Sequence, residues 1–305
     1  MLLGLAAQAL PIRPAAAGPA PGPDDCVEVA PGLWVMPGRM EEASPGNLNT
    51  IANTGFICGA KATAVIDPGG SLAHGQLLRQ AIEARGAPPV RHLVLTHVHP
   101  DHIMGAEAFA DLAPEVIGHA RLPESLSQRG AYYTAMLERE MGSGAAGSGV
   151  LVPTRLVEDH VELDLGGRRL ELCAHPPAHT DHDLSLRDDA TGTLWLSDLL
   201  FVDRIPALDG DLLGWLRVLD ALREEAAPLA VPGHGPPAVP WPQAAAPLHG
   251  YLTALRDGVR GAIAAGTGLA EAPERVAVEA ARHWQLADRY HGRNVTAAYR
   301  QLEWE

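Results

Sequence analysis

One stretch constrains this chain more than any other: His92-Leu93-Val94-Leu95-Thr96-His97-Val98-His99-Pro100-Asp101-His102. Leu93, Val94 and Leu95 read as a short strand buried on both faces. Three histidines and one aspartate follow within six positions, and Pro100 helps to end the strand. An apolar strand that stops in imidazoles and a carboxylate is a metal-site pattern, because both groups are ordinary ligands of divalent ions.

The other candidate donors also fall near strand ends. His179 and His182 follow a strand that ends at Cys173. Asp198 follows Leu194-Trp195-Leu196, and His234 follows Leu229-Ala230-Val231. Strands lying side by side would gather these ends at one edge, where short loops hold ligands rigidly. The first half reads as a hairpin over 27–36, strands 54–58 and 62–66, helix 72–85, the opening strand, helix 106–112 and strand 115–118. The second half repeats that order: strands 155–161, 168–173, 184–187 and 193–196, helix 212–225 and strand 229–231. Two β-rich halves, each followed by helices, predict an α/β sandwich of two mixed sheets with helices outside.

Residues 26–305 read as one domain with two additions. The first, 121–149, pairs a helix over 124–141, holding Tyr132-Tyr133, with a Gly/Ser/Ala run over 142–149 that has linker composition. A lid and a solvated insertion both remain open for it. The second, 241–305, is a helical extension with helices over 247–265, 273–286 and 294–303. It carries no recognisable chemistry and serves to cover sheet faces.

Composition excludes some functions. A net charge of −14 with no Lys/Arg stripe argues against nucleic acid. It leaves a small anionic substrate open, because a bound metal would dominate the local field. Residues 1–25 open with an apolar run, Leu2 to Leu10, then small residues at Ala15-Ala16-Ala17-Gly18. That order reads as a signal peptide, or alternatively as a disordered tail. The run is too short to span a membrane. The signal reading places the protein in the periplasm or outside the cell. Cys26, Cys58 and Cys173 form no C-x-x-C motif, and Cys58 and Cys173 read as small core residues. Oligomeric state is open.

His97-Val98-His99-Pro100-Asp101-His102, His179 in Pro-Ala-His-Thr, Asp198 in Leu-Ser-Asp and His234 in Pro-Gly-His-Gly together resemble the metallo-β-lactamase superfamily. Asp67 in Val-Ile-Asp-Pro-Gly-Gly matches that family's structural aspartate. The resemblance runs over roughly 27–240 and implies an αββα fold with a two-metal site. By position it implies that His97, His99 and His179 bind a first Zn²⁺. Asp101, His102 and His234 would bind a second, with Asp198 bridging. It further implies hydroxide chemistry on a small ester, thioester, lactone or lactam, with Asp101 also orienting the nucleophile or carrying a proton. An aspartate rather than a cysteine at 198 resembles the glyoxalase II-like branch. The Pro-Ala-His-Thr-Asp-His-Asp-Leu loop and the Asn294 to Tyr299 helix are similar to zinc metallohydrolases of quinoprotein and sulfur-oxidation systems. A periplasmic redox partner follows from that likeness. Two alternatives stand beside it: a mononuclear iron persulfide dioxygenase on the same fold, and a metal-binding accessory without turnover. Iron or a mixed metal pair is therefore also open. His182 lies outside the family pattern and reads as a supporting or surface residue, Asp183 as a loop-orienting one, and Asp67 as a partner of the histidine loop. His92 reads as structural. His74, His119, His160, His175, His249, His283 and His291 match no motif.

Overall fold

In the computed structural model, which describes residues 21–305, strand formation follows burial. The first sheet has seven strands in sequence order. They are β1 (Val27–Ala30), β2 (Leu33–Met36), β3 (Thr54–Cys58), β4 (Thr63–Ile66), β5 (Val90–Leu95), β6 (Glu115–His119) and β7 (Arg155–Val157). β1 to β4 pair antiparallel, and β4 to β7 pair parallel. The second sheet holds β8 (His160–Asp164), β9 (Arg169–Ala174), β10 (Leu184–Asp188), β11 (Thr193–Phe201), β12 (Leu229–His234) and β13 (Val239–Pro240). Its order is β13-β12-β11-β10-β9-β8, with only β11 and β12 parallel. The helices are α1 (Leu72–Ala84), α2 (Pro100–Ile103), α3 (Leu122–Met141), α4 (Leu212–Arg223), α5 (Ala246–Ala264), α6 (Val278–Ala281) and α7 (Ala287–Leu302). Two mixed sheets between helices are the predicted α/β sandwich.

The layers explain the apolar run in β5. Val94 faces the second sheet and packs among Ile66, Ile117, Leu172, Leu186 and Trp195. Leu93 and Leu95 face outward onto Leu78 and Ile82 of α1. A strand covered on both faces has no polar side, so alternation disappears. Each such leucine contributes roughly 1.5–3 kcal/mol by leaving water. A third apolar cluster joins β11 and β12 to α4, α5 and α7. One partly buried guanidinium also ties the sheets together. Arg168 donates to both oxygens of Asp188, at 2.8 and 2.6 Å, and to the carbonyls of Pro31 and Cys58 at 2.9 Å.

Four expectations change. The run 155–161 is not one strand: β7 belongs to the first sheet and β8 to the second. Between them the Asp159 carbonyl accepts from Ala174 N–H at 2.8 Å, so the chain crosses sheets at Glu158-Asp159. Apolar patterning marks which face of a strand is buried, not which sheet it joins. The Gly-rich run 142–149 is seated rather than loose. Ala145 is buried, Ser148 Oγ accepts from Leu72 N–H at 2.9 Å, and Gly149 N–H donates to Met104 O at 2.9 Å. The predicted helix over 273–286 is broken by left-handed residues at Ala277 and Leu286, leaving only α6 inside it and starting α7 at Ala287. Cys58 and Cys173 are only partly buried, whereas Cys26 is in the core, where burial pushes its thiol up to about 12. The signal-like stretch 1–25 lies outside the described residues except for 21–25. No helix among the described residues is long and apolar enough to cross a membrane.

Candidate metal centre

β4 and β5 run parallel, as do β11 and β12, so within each sheet the paired strands end at the same edge. Asp67 follows β4, and Thr96-His97 follow β5. Pro100 opens α2, and that single turn places Asp101 and His102 beside His99. His179 and His182 sit on the loop between β9 and β10. Asp198 differs from expectation. It lies in the middle of β11 rather than after it, and His234 is the last residue of β12 rather than beyond it. The register slips on both sides of Ser197, which takes a left-handed φ of 46°. That bulge aims Asp198 out of the ladder.

The structure brings all seven donor residues together as two groups. One is His97, His99, His179 and Asp198; the other is Asp101, His102 and His234. Asp198 lies between them. Its Oδ2 is 3.1 Å from His179 Nε2 and 3.6 Å from His97 Nε2, and its Oδ1 is 3.1 Å from His102 Nε2 and 3.5 Å from His234 Nε2. Asp101 Oδ2 is 3.4 Å from His234 Nε2. His99 Nδ1 is 3.0 Å from His179 Nε2.

Outer hydrogen bonds fix which ring nitrogen faces in. His102 Nδ1–H donates to Asp67 Oδ2 at 2.8 Å, and His234 Nδ1–H donates to the Ile51 carbonyl at 2.8 Å. Thr96 Oγ1 gives its proton to Asp67 Oδ2 at 2.8 Å and so accepts from His97 Nδ1–H at 3.0 Å. His99 Nε2–H donates to Asp209 Oδ2 at 3.2 Å. The inward atoms are then Nε2 of His97, His102 and His234, and Nδ1 of His99, each with a free lone pair. Asp67 is the hub. It also accepts from Thr96 N–H and Ser197 Oγ, at 2.9 and 3.2 Å, and holds a left-handed φ of 53°.

Three inward atoms, His97 Nε2, His102 Nε2 and Asp198 Oδ1, are buried without any hydrogen bond. Orphaned donor atoms at this density are costly unless something else engages them. Nitrogen and carboxylate donors on opposing faces fit divalent cations. The electrostatics agree. Burial drives the His97 imidazole well below its usual pKa. Burial opposes charge on His102 as well, but Asp198, Asp101 and Asp67 outweigh it and hold that ring well above the usual value. Burial would raise Asp198, yet His102, His234, His97 and His179 keep it well below the carboxylate range. The cluster attracts positive charge, whether protons or metal ions. Gly233 completes the geometry: a Cβ there would stand 1.9 Å from Asp198 Oδ1.

His182 is fully buried, and its Nε2 accepts from Val98 N–H, between His97 and His99, at 3.1 Å. It supports the histidine loop and is not at the surface. Asp183 accepts from Thr180 N–H and Oγ1 at 2.9 and 2.6 Å, orienting the loop that carries His179. His92 pairs with Glu115 across β5 and β6 at 3.2 Å.

A cavity of about 700 Å³ opens over both groups. Sequence reasoning missed most of its walls. Arg129 and Tyr133 come from α3, Arg204 and Asp209 from the loop after β11, and Tyr290 and Arg293 from α7. Arg129 pairs with Asp209, so the insertion helix braces the carboxylate that orients His99. Asn294 on α7 accepts from Leu208 N–H at 3.0 Å and donates to Pro206 O at 2.7 Å, clamping the same loop. The C-terminal helices therefore carry part of the site. Sequence reasoning touches this helix only through the family-like stretch Asn294 to Tyr299, and nothing in it singles out Arg204, Asp209, Tyr290 or Arg293.

The family model described as the metallo-beta-lactamase superfamily matches residues 49–234. Among solved structures, the stereoselective inverting sec-alkylsulfatase Pisa1 from Pseudomonas sp. superposes with a TM-score of 0.70 at 20% identity, covering 92% of this chain and 50% of that one. The chain thus spans about half the length of that enzyme. A metallo-beta-lactamase from Pontibacter korlensis gives 0.58 at 18% identity, covering 75% and 98%. Another from Hirschia baltica gives 0.54 at 17%, covering 70% and 91%. No curated protein sequence matches the chain.

Proposed function

Because the chain belongs to the metallo-β-lactamase superfamily, we propose that it is a dinuclear zinc metallohydrolase of a small ester, thioester, lactone or lactam. The observation that supports this reading is the pair of donor groups, with unpartnered lone pairs directed inward from both sides of Asp198. His97, His99 and His179 would hold one ion, Asp101, His102 and His234 the other, and Asp198 both. Zinc bound there would supply an activated water and polarise the substrate's electrophilic centre. Asp67, Thr96, Ser197 and Asp209 keep the imidazoles oriented. Of the four donors that line the cavity, Asp101 and His99 are the most exposed, at 15% and 16%, with Asp198 and His234 deeper in its floor. The Asp101 carboxylate is therefore placed to orient water or carry a proton at Oδ2. The insertion helix α3 walls one side of the cavity and serves as a substrate-contacting cover. Export to the periplasm or beyond is part of the proposal and rests on the signal-like 1–25.

Metal analysis of the purified protein, with a panel of esters, thioesters, lactones, lactams and alkyl sulfates, tests it. We expect two zinc ions per chain and hydrolysis of a panel member that drops about 100-fold or more in His97→Ala. One iron with oxygen consumption would replace this reading with the dioxygenase one. Full metal occupancy with no hydrolysis, and co-purification with a quinoprotein, would point to an accessory role.

A further inference from the structure

The cavity is not symmetric in charge. On the α3 side it is lined by Tyr132, Tyr133, Met136 and the rim carboxylate Glu140. Around Tyr290 of α7 it is lined by two guanidinium groups, Arg204 and Arg293. Both lie near the same ring: Arg204 is 5.8 Å from the Tyr290 centroid and Arg293 is 5.6 Å from it. Arg204 is buried, at 5% exposure. Its partners are the Glu41 carbonyl at 3.0 Å and the Glu42 carboxylate at a loose 4.0 Å. Arg293 is exposed to the cavity and has no ion pair among the described residues. The third cavity arginine, Arg129, is already matched by Asp209.

Two like charges gathered around one tyrosine ring repel each other, and burial of one raises that cost. One loosely placed carboxylate does not match them. A guanidinium offers five donors in a planar fork that fits oxyanions, and of Arg204's fork only Nη1 makes a side-chain hydrogen bond, to the Glu41 carbonyl. An acidic chain of net charge −14 nevertheless places this pair beside its metal cluster. We propose that Arg204 and Arg293 form an oxyanion subsite, and that the substrate is a small anion carrying a carboxylate, sulfate or phosphate group. The anionic end lies against α7. The remainder lies along the tyrosine and methionine wall of α3, with the scissile bond over the two donor groups. This rests on the hydrolase reading for the bond cleaved, but the anion subsite is testable without it.

Titration calorimetry with inorganic sulfate is the direct test, on zinc-loaded wild type, Arg293→Gln and Arg300→Gln. Arg300 is exposed on the same helix and does not line the cavity, so its variant controls for net charge. Sulfate should bind wild type and Arg300→Gln alike and bind Arg293→Gln about fivefold or more weakly, with zinc content equal in all three. A matched ester pair gives the second readout. Arg293→Gln should raise KM for mono-p-nitrophenyl glutarate about tenfold while leaving p-nitrophenyl acetate within twofold. Equal sulfate affinity in wild type and Arg293→Gln, no sulfate binding by wild type, or an equal loss on both esters would overturn the subsite. If neither ester is cleaved, the hydrolase reading loses support for esters, and the sulfate titration still decides the subsite. Arg204→Lys, which keeps the charge but not the fork, should weaken sulfate binding as well; unchanged binding in a folded variant would remove Arg204 from it.

Discussion

At the scale of single residues, the centre depends on atoms that never face the cavity. Asp67 is fully buried and gathers Thr96, Ser197 and His102, so one carboxylate sets the orientation of several donor rings. The left-handed backbone at Asp67 and Ser197 is the kind of strain that persists where the surroundings over-determine it. Gly233 matters for space, because any side chain there occupies the position of Asp198 Oδ1. Gly233→Ala should therefore displace Asp198, lower zinc content to one ion or fewer per chain and reduce hydrolysis about 100-fold. Circular dichroism should show the fold retained. Two zinc ions in a folded Gly233→Ala protein would contradict this account of the glycine.

At the scale of elements, the sheets are joined by packing and by hydrogen bonds such as those from Arg168, which an ion pair with Asp188 holds in place. Asp188 is 1% exposed and receives both arms of Arg168. Burial alone would raise its pKa, but the Arg168 and Thr191 hydrogen bonds outweigh burial and hold it below the carboxylate range. A depressed folded pKa adds stability above the unfolded value of about 3.9, and that stability is lost as pH falls through the folded value. Arg168→Met leaves the carboxylate buried and unpaired. Urea unfolding should show it about 3–5 kcal/mol less stable at pH 7, with the deficit shrinking below about pH 4 as Asp188 protonates. A deficit independent of pH would assign the loss to packing instead. Element order was largely legible in the sequence, because β5, β11 and β12 are apolar runs and α4 has clear helical spacing. The crossing at Glu158-Asp159 and the seating of 142–149 were not. Both depend on partners far along the chain: Ala174 for Asp159, and Leu72 and Met104 for Ser148 and Gly149.

At the scale of the whole molecule, the candidate site is held by every layer at once. The first sheet supplies the histidine loop, the second supplies Asp198 and His234, α3 supplies Arg129, and α7 supplies Asn294 and Arg293. Metal bound only by the folded arrangement stabilises it through mass action, by about 2.7 kcal/mol when free metal is 100-fold above its dissociation constant. Removing metal with EDTA should thus lower the melting temperature, and added zinc should restore it; calorimetry with no shift would detach the donor cluster from metal binding. The sequence by itself pointed to the sandwich class and to His97, His99, Asp101 and His102, because a short strand end rich in His and Asp is a local chemical pattern; His179, Asp198 and His234 were singled out by the family resemblance, and the fold brings all seven together. Only the tertiary structure decided which nitrogen of each ring faces inward, that Asp198 projects from a bulge within β11, and that α3 and α7 wall the cavity. Those features arise from hydrogen bonds and packing between residues dozens to hundreds of positions apart. For the opening stretch, the strand and its histidines are local, but their orientation comes from Asp67, Asp209 and His182.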